Sequence, residues 1–393
     1  MAGTNKTRSL YSKLAVFGFL GIFLLYIAGF QYGPASAQKR TRSTQAKPKQ
    51  ATKAKPQSPL ESLGAPPPVP TLKKKPEPVS KTKDQEVGPE DVIAVNTTEV
   101  MLPVTVRDFS GRLVSNLKTN DFKVFEDGRE QPLSDLALRQ VPVDVVLMVD
   151  ASSSVANNLD DFRRAAEGFA NRLATDDRIS LIKFDDRVEL LLDWTKSRYQ
   201  LHRALGRLEG GMFTRFNDAL ILASRDQFSA ATNSRRAVIV LTDGLDSGRG
   251  STTLEAALQS LLKAQVTVYV VSNTQISRAS KRAELDQLTA SDSARFNQIQ
   301  IDGLREGLRV LDVSEDNLEQ LTEATGGRLF KPLSFGDLEA TYAEVADELR
   351  HQYALYYTPL NKARDGGFRR VRVENLNPSF KSHTRVGYFA PKT

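Results

Sequence analysis

Apolar positions along the chain follow two patterns in turn. "VDVVLMVD" (143–150), "RAVIVLTD" (236–243) and "VTVYVVSN" (266–273) are nearly continuous apolar runs, the pattern of strands buried on both faces. Between them the apolar residues recur at helical spacing. In "LDDFRRAAEGFANRLA" they fall at 159, 162, 165, 166, 169, 170 and 173, one face of an α-helix. Further helices are expected at about 197–208, 216–230 and 253–264. "DRISLIKFDDRVELLLDW" reads as two strands joined by a tight "DDR" turn. Residues 273–312 break the alternation and read as an inserted, partly helical segment. A helix in "EDNLEQLTEAT", a strand in "GRLFKPL" and a last helix at about 336–350 follow. Strands alternating with helices predict an α/β domain over 143–350, doubly wound and Rossmann-like, with a mostly parallel central sheet and one antiparallel hairpin.

On both sides of this domain the pattern turns to short β runs. "TEVMLPVTVRD" and "DFKVFEDGREQPLS" precede it; "YALYYTP", "FRRVRVEN" and "HTRVGYFAP" follow it. Each group is too short to hold a core alone. Residues 91–142 and 351–393 are therefore expected to pair as the two halves of a small discontinuous β-sandwich, with the α/β domain inserted between them.

The N-terminal region has neither pattern. Lys6, Arg8 and Lys13 precede an uncharged run of 17 residues, 14–30, and "ASA" follows at 35–37. Residues 1–37 read as an export signal cleaved after Ala37, or as an uncleaved membrane anchor. Either places the body outside the cytoplasmic membrane, in the periplasm or at the cell surface. Residues 38–90 are rich in Lys and Pro, with too little apolar surface to offset the entropy of ordering, and read as an extended disordered linker.

Charge sharpens this division. The chain of 393 residues has a formal net charge of +7. Residues 1–90 hold 15 Lys+Arg and 5 Asp+Glu, a net of +10; the remaining 39 and 42 give −3. The basic character belongs to the tail, which argues against a nucleic-acid-binding body. There is no cysteine, so disulfides, thiolate metal sites and cysteine nucleophiles are excluded.

Candidate chemistry gathers where the buried runs end. Asp150 closes the first, and Ser152 and Ser154 follow at alternate positions. Asp243 closes "VIVLTD", and Thr214 lies in "GGMFTRFNDAL", a Gly-containing loop before a helix. In open α/β sheets, ligands bind beyond the carboxyl ends of the strands. Asp150, Ser152, Ser154, Thr214 and Asp243 form an all-oxygen, weakly charged set able to surround one octahedral ion. That chemistry suits Mg²⁺, with Mn²⁺ as substitute, rather than zinc. The hydroxyls would bind directly and the aspartates partly through water. An open position remains for an Asp or Glu carboxylate of a partner. The plainer alternative is that "DASSSV" merely caps a helix. Asp218 reads as a helix-start or supporting residue, and Asp246 as a solvated loop carboxylate.

These motifs resemble the von Willebrand factor type A domain with its metal-ion-dependent adhesion site. The family's D-x-S-x-S stands as Asp150-Ala-Ser152-Ser-Ser154, its threonine loop as "GGMFTRFNDA", and its third motif as "TDG" with Asp243. Ser153 replaces the usual glycine between the serines, and Met212 and Phe213 separate Thr214 from the glycine pair. The flanking β runs are similar to a bacterial, exported branch of that family. The resemblance implies a non-enzymatic, divalent-metal-dependent adhesion or assembly module of the cell envelope, binding a partner protein through an acidic side chain. Resemblance to integrin-type members further implies coupling between metal ligation and the last helix.

Other functions fit less well. A phosphatase nucleophile at Asp150 would want a second aspartate where Ser152 stands. Neither G-x-S-x-G nor G-x-G-x-x-G is present. His202, His351 and His383 have no evident role as a base. A metal-independent envelope scaffold and, more remotely, a hydrolase remain as alternatives.

Overall fold

The computed structural model describes residues 99–393, apart from 139–140, 154, 156–157, 231, 247–249, 291–296 and 393. The apolar run 14–30, the "ASA" site and the linker 38–90 lie outside the described residues, as does Ser154.

The α/β body contains strands β5 (Val143–Asp150), β6 (Arg178–Phe184), β7 (Val188–Thr195), β8 (Arg235–Thr242), β9 (Thr267–Ser272) and β10 (Leu329–Phe330). Its helices are α1 (Leu159–Arg172), α2 (Arg198–Leu205), α3 (Phe216–Leu222), α4 (Leu254–Lys263), α5 (Thr274–Ala290), α6 (Gln298–Thr325) and α7 (Leu338–Arg350). The strand order is β10-β9-β8-β5-β6-β7, with β7 antiparallel to β6 and the other pairings parallel.

The continuous apolar runs are explained by helices on both faces. Val143, Val145, Leu147 and Val149 of β5 join a core with α1, α2 and α7, while Val146 and Met148 join a second core with α3, α4 and α6. Alternate residues of one strand feed opposite cores because successive side chains point to opposite faces. On the first face, Phe162 and Phe169 of α1 meet Tyr342 of α7 edge-on, with centroids 6.0 and 6.1 Å apart.

The segment 273–312 is not a break in the fold. It forms α5 and the first half of α6, and α6 runs on without interruption through "EDNLEQLTEAT". Leu304, Leu311, Leu318 and Leu321 are buried along it. The strand expected in "GRLFKPL" is confined to two residues paired with β9.

The flanking β runs form two four-stranded sheets. These use β1 (Val100–Asp108), β2 (Phe122–Glu126), β3 (Arg129–Gln131) and β4 (Leu133–Leu138) from one side, and β11 (Tyr353–Tyr357), β12 (Phe368–Asn375), β13 (Phe380–His383) and β14 (Gly387–Phe389) from the other. The orders are β13-β1-β11-β4 and β14-β12-β2-β3. Each sheet mixes strands from the two ends of the body. Val100, Leu102, Val104, Phe122, Val124, Tyr353, Leu355, Tyr357 and Val373 form one shared core between them.

The sandwich is tied to α7. Glu348, buried near the end of α7, pairs with Arg107 of β1 at 2.5 Å. Arg235, at the start of β8, donates to the Leu349 carbonyl at 2.7 Å. Two residues after α7 the chain enters β11, which lies between β1 and β4.

Candidate metal site at the carboxyl ends of β5 and β8

After β5 the chain crosses to β6 on one side, and β8 lies on the other. The strand order reverses at this point, which opens a crevice beyond the strand ends. Asp150 is the last residue of β5 and Asp243 follows β8 directly. Both are buried, at 0% and 5% exposure.

Asp150 continues the Val146–Met148 row, and Thr242 continues the Val238–Val240 row of the neighbouring strand. The Thr242 hydroxyl therefore reaches Asp150 and donates to Oδ2 at 2.8 Å. The backbone N–H of Ser152 donates to Oδ1 at 2.9 Å. Both oxygens are thereby oriented. Burial, reinforced by the neighbouring Asp243 carboxylate, pushes the Asp150 carboxyl up to about 7, with the hydrogen bonds from Ser152 and Thr242 acting in the opposite sense. The two carboxylates are thus close enough to repel, the situation that a bound cation relieves.

The remaining predicted residues lie on adjoining loops. Ser152 is buried, one turn ahead of α1. Thr214 is buried at 7% exposure in the loop between α2 and α3. The Gly211 N–H donates to the Ala151 carbonyl at 2.7 Å, which joins that loop to the one following Asp150. Gly211 is required there: a Cβ at this position would lie 2.5 Å from Asp185.

Further residues support the site: Thr242, Asp185, Ser314 and Gly244 are not among the candidates named from the sequence, whereas Asp218 was expected in a supporting role. Thr242 is the "T" of "TDG". Asp185, in the "DDR" turn, is buried and paired with Lys183 at 2.8 Å beneath the glycine loop. Asp218 is held by Arg215 at 2.9 Å and accepts the Ser251 N–H at 3.2 Å. Asp246 is not simply solvated: it is half-buried and accepts the Asn217 N–H at 3.0 Å, capping the first turn of α3. Ser314 of α6 donates its hydroxyl to the Asp243 carbonyl. Gly244 stands at φ +70°, and a Cβ there would lie 2.7 Å from Leu318 of α6. The histidines lie elsewhere: His202 pairs with Glu167, His351 ends α7, and His383 contacts the Gly327 carbonyl.

The donor set is two carboxylates and buried hydroxyls. Among the described residues there is no group of three or more His, Cys, Asp and Glu side chains arranged to hold a metal. The site is therefore not a carboxylate cage. Its all-oxygen, weakly anionic character fits a small hard cation better than a soft one.

Residues 144–305 match the von Willebrand factor type A domain. The match stops inside α6, whereas β10 and α7 complete the sheet and one of its covering layers. The uncharacterised protein sll0103 of Synechocystis sp. is 28% identical over 109 residues, 27% of this chain and 26% of that protein. Among solved structures, the chain is similar to proximal thread matrix protein 1 of the mussel byssus with zinc in its MIDAS motif, at 16% identity over 56% of this chain and 48% of that one, TM-score 0.40. It is also similar to a von Willebrand factor type A protein from Catenulispora acidiphila, at 11% identity over 76% and 75%, TM-score 0.40. The chain spans about a quarter of the curated relative and about half of the mussel protein.

Proposed function

We propose that the von Willebrand factor type A domain carried by residues 144–305 binds one Mg²⁺, replaceable by Mn²⁺, and uses it to hold an acidic side chain of a partner protein. Asp150, Ser152, Ser154, Thr214 and Asp243 supply the oxygen ligands. The observation that carries this reading is the placement of two buried carboxylates, Asp150 and Asp243, against one another at the ends of adjacent parallel strands. A divalent cation offsets the charge of both carboxylates, and hydroxyl ligands leave part of its coordination shell open. An Asp or Glu from outside then completes the shell. Nothing in this arrangement calls for bond-making chemistry; its product is a metal-bridged complex, an adhesion or assembly contact.

The basic flank, the apolar run 14–30 and "ASA" at 35–37 support placing this contact outside the cytoplasmic membrane, with residues 38–90 as a tether. Among the described residues no helix is long and apolar enough to cross a membrane. A fusion of alkaline phosphatase after residue 90 is expected to be active, and a reporter that works only in the cytoplasm to be silent there.

Calorimetry with Mn²⁺ on the purified chain tests the site. Saturable one-site binding that disappears in Asp150→Ala/Asp243→Ala is expected. Equal heats from both proteins would remove the metal reading and leave a metal-independent scaffold. Ca²⁺ is expected to compete poorly, because it prefers longer bonds and more ligands.

A further inference from the structure

A second feature adjoins the candidate metal site. A cavity of about 240 Å³ is lined by Phe216 of α3, by Leu245 of the loop after β8, by Leu254 of α4, and by Val310, Val313 and Leu318 of α6. Its floor is apolar and buried, since Phe216 and Leu318 are 2% and 1% exposed. Its rim is open and mixed, with Val310 and Val313 beside Asn217, Asp246 and Asn317. Val310 and Val313, one turn apart on α6, are 40% and 60% exposed. β-branched residues on a solvent-facing helix have neither a propensity advantage nor a packing role.

The cavity and the metal site share their walls. Gly244 and Leu245 follow Asp243 directly, and Phe216 stands two residues after Thr214. Ser314, which also lines the cavity, donates to the Asp243 carbonyl. α6 is thereby fixed to the loop that carries a metal-facing carboxylate. The volume suits one aliphatic side chain.

We infer that this cavity is the specificity pocket of the metal site, and that the partner is a peptide segment presenting an Asp or Glu with a Leu-, Ile- or Met-sized side chain close beside it in sequence. The inference rests on the metal-bridging reading above. The ion holds the carboxylate and has no means of distinguishing one acidic segment from another. The pocket adds that discrimination through apolar burial against α6. Partial burial of one leucine in an open pocket corresponds to roughly a tenfold gain in affinity.

The test uses the full chain in Mn²⁺ and immobilised octapeptides with a central Glu, flanked either by Gly and Ser only or by a single Leu at each position in turn. Leu at one or two positions is expected to raise binding about tenfold, and chelator to abolish it. The double variant Val310→Ser/Val313→Ser alters only exposed helix positions. It is expected to bind Mn²⁺ calorimetrically as the wild type does and to lose the leucine preference. Equal binding of all peptides by the wild type, or a preference unchanged in the double variant, with Mn²⁺ still bound, would overturn the pocket and leave the metal reading standing. Absence of Mn²⁺ binding would overturn both.

Discussion

The Thr242 hydroxyl lies 2.8 Å from Asp150 Oδ2, across the pairing of β5 with β8. It joins two of the three sequence motifs through their first residues and holds the carboxylate at the end of one strand against the end of the other. Asp150 is thereby oriented and left close to Asp243, with its acidity displaced to about 7 by burial first and by Asp243 second.

That displacement predicts a pH dependence of stability. In the metal-free protein, Asp150 ionises above its unfolded value of 3.8, near 7. Between these values the unfolded chain releases a proton that the folded one keeps. Stability contributed by neutral Asp150 is fully present below about 4 and is lost as pH rises through about 7. In chelator, Asp150→Asn should lack this loss. Denaturant midpoints of the two proteins are expected to diverge as pH rises from 4 to 8, by an amount on the order of a few kcal/mol. Saturating Mn²⁺ should stabilise the wild type at pH 8 and leave the variant unchanged.

Gly244→Ala combines two penalties, a backbone at φ +70° and a Cβ 2.7 Å from Leu318. A destabilisation of about 2 kcal/mol is expected from strain and overpacking together. Because Gly244 follows Asp243, Mn²⁺ affinity should fall as well. Thermal denaturation and calorimetry on one preparation measure both.

Arg107→Ala removes the sandwich's ion pair to Glu348 of α7 and leaves that buried carboxylate with Arg328 at 3.7 Å. Truncating one partner of a fully buried pair costs roughly 3–5 kcal/mol. Partial exposure of Arg107 and the nearby Arg328 reduce the expected loss to about 2 kcal/mol. Glu348→Gln should cost less, since the amide needs no compensating charge. Chemical denaturation of the two variants gives the order.

Deleting residues 353–393 removes β11 from between β1 and β4, β13 from the side of β1, and β12 with β14 from the side of β2. The apolar faces of Val100, Leu102, Phe122 and Val124 lose their cover. The shortened chain is expected to aggregate or to be cleaved rapidly within 99–138. A soluble, protease-resistant product would show that the N-terminal strands stand alone.

Resemblance to integrin-type domains raised the question of a mobile last helix. α7 here is held by Glu348–Arg107, by the Arg235 bond to Leu349, and by the short passage into β11. Sliding it would pull a central strand from a closed core. Hydrogen exchange across 338–357 is therefore expected to be unchanged by Mn²⁺.

Much of this protein is determined locally. Continuous apolar runs at 143–150 and 236–243 require strands covered on both faces, and the α1 pattern requires one buried helix face; no distant information is needed to see either. The motifs at Asp150 and Asp243 stand out because each sits at the end of such a run, where backbone alternation gives way to a loop; Thr214 lies instead in the loop between α2 and α3. Pairings between residues far apart were another matter. Thr242 reads as a strand terminus until β8 is laid beside β5. Asp246 reads as solvated until α3 is brought against its loop. Residues 273–312 look like an interruption because α6 buries only a narrow stripe along its first half, and its length becomes evident only when Leu318 meets Gly244. The sequence specifies each element through periodicity and strand-end chemistry. Only the tertiary structure decided which strand ends became neighbours, and therefore which carboxylates repel, which hydroxyl orients them and which apolar wall stands beside them, because those terms depend on distances between residues some hundred positions apart.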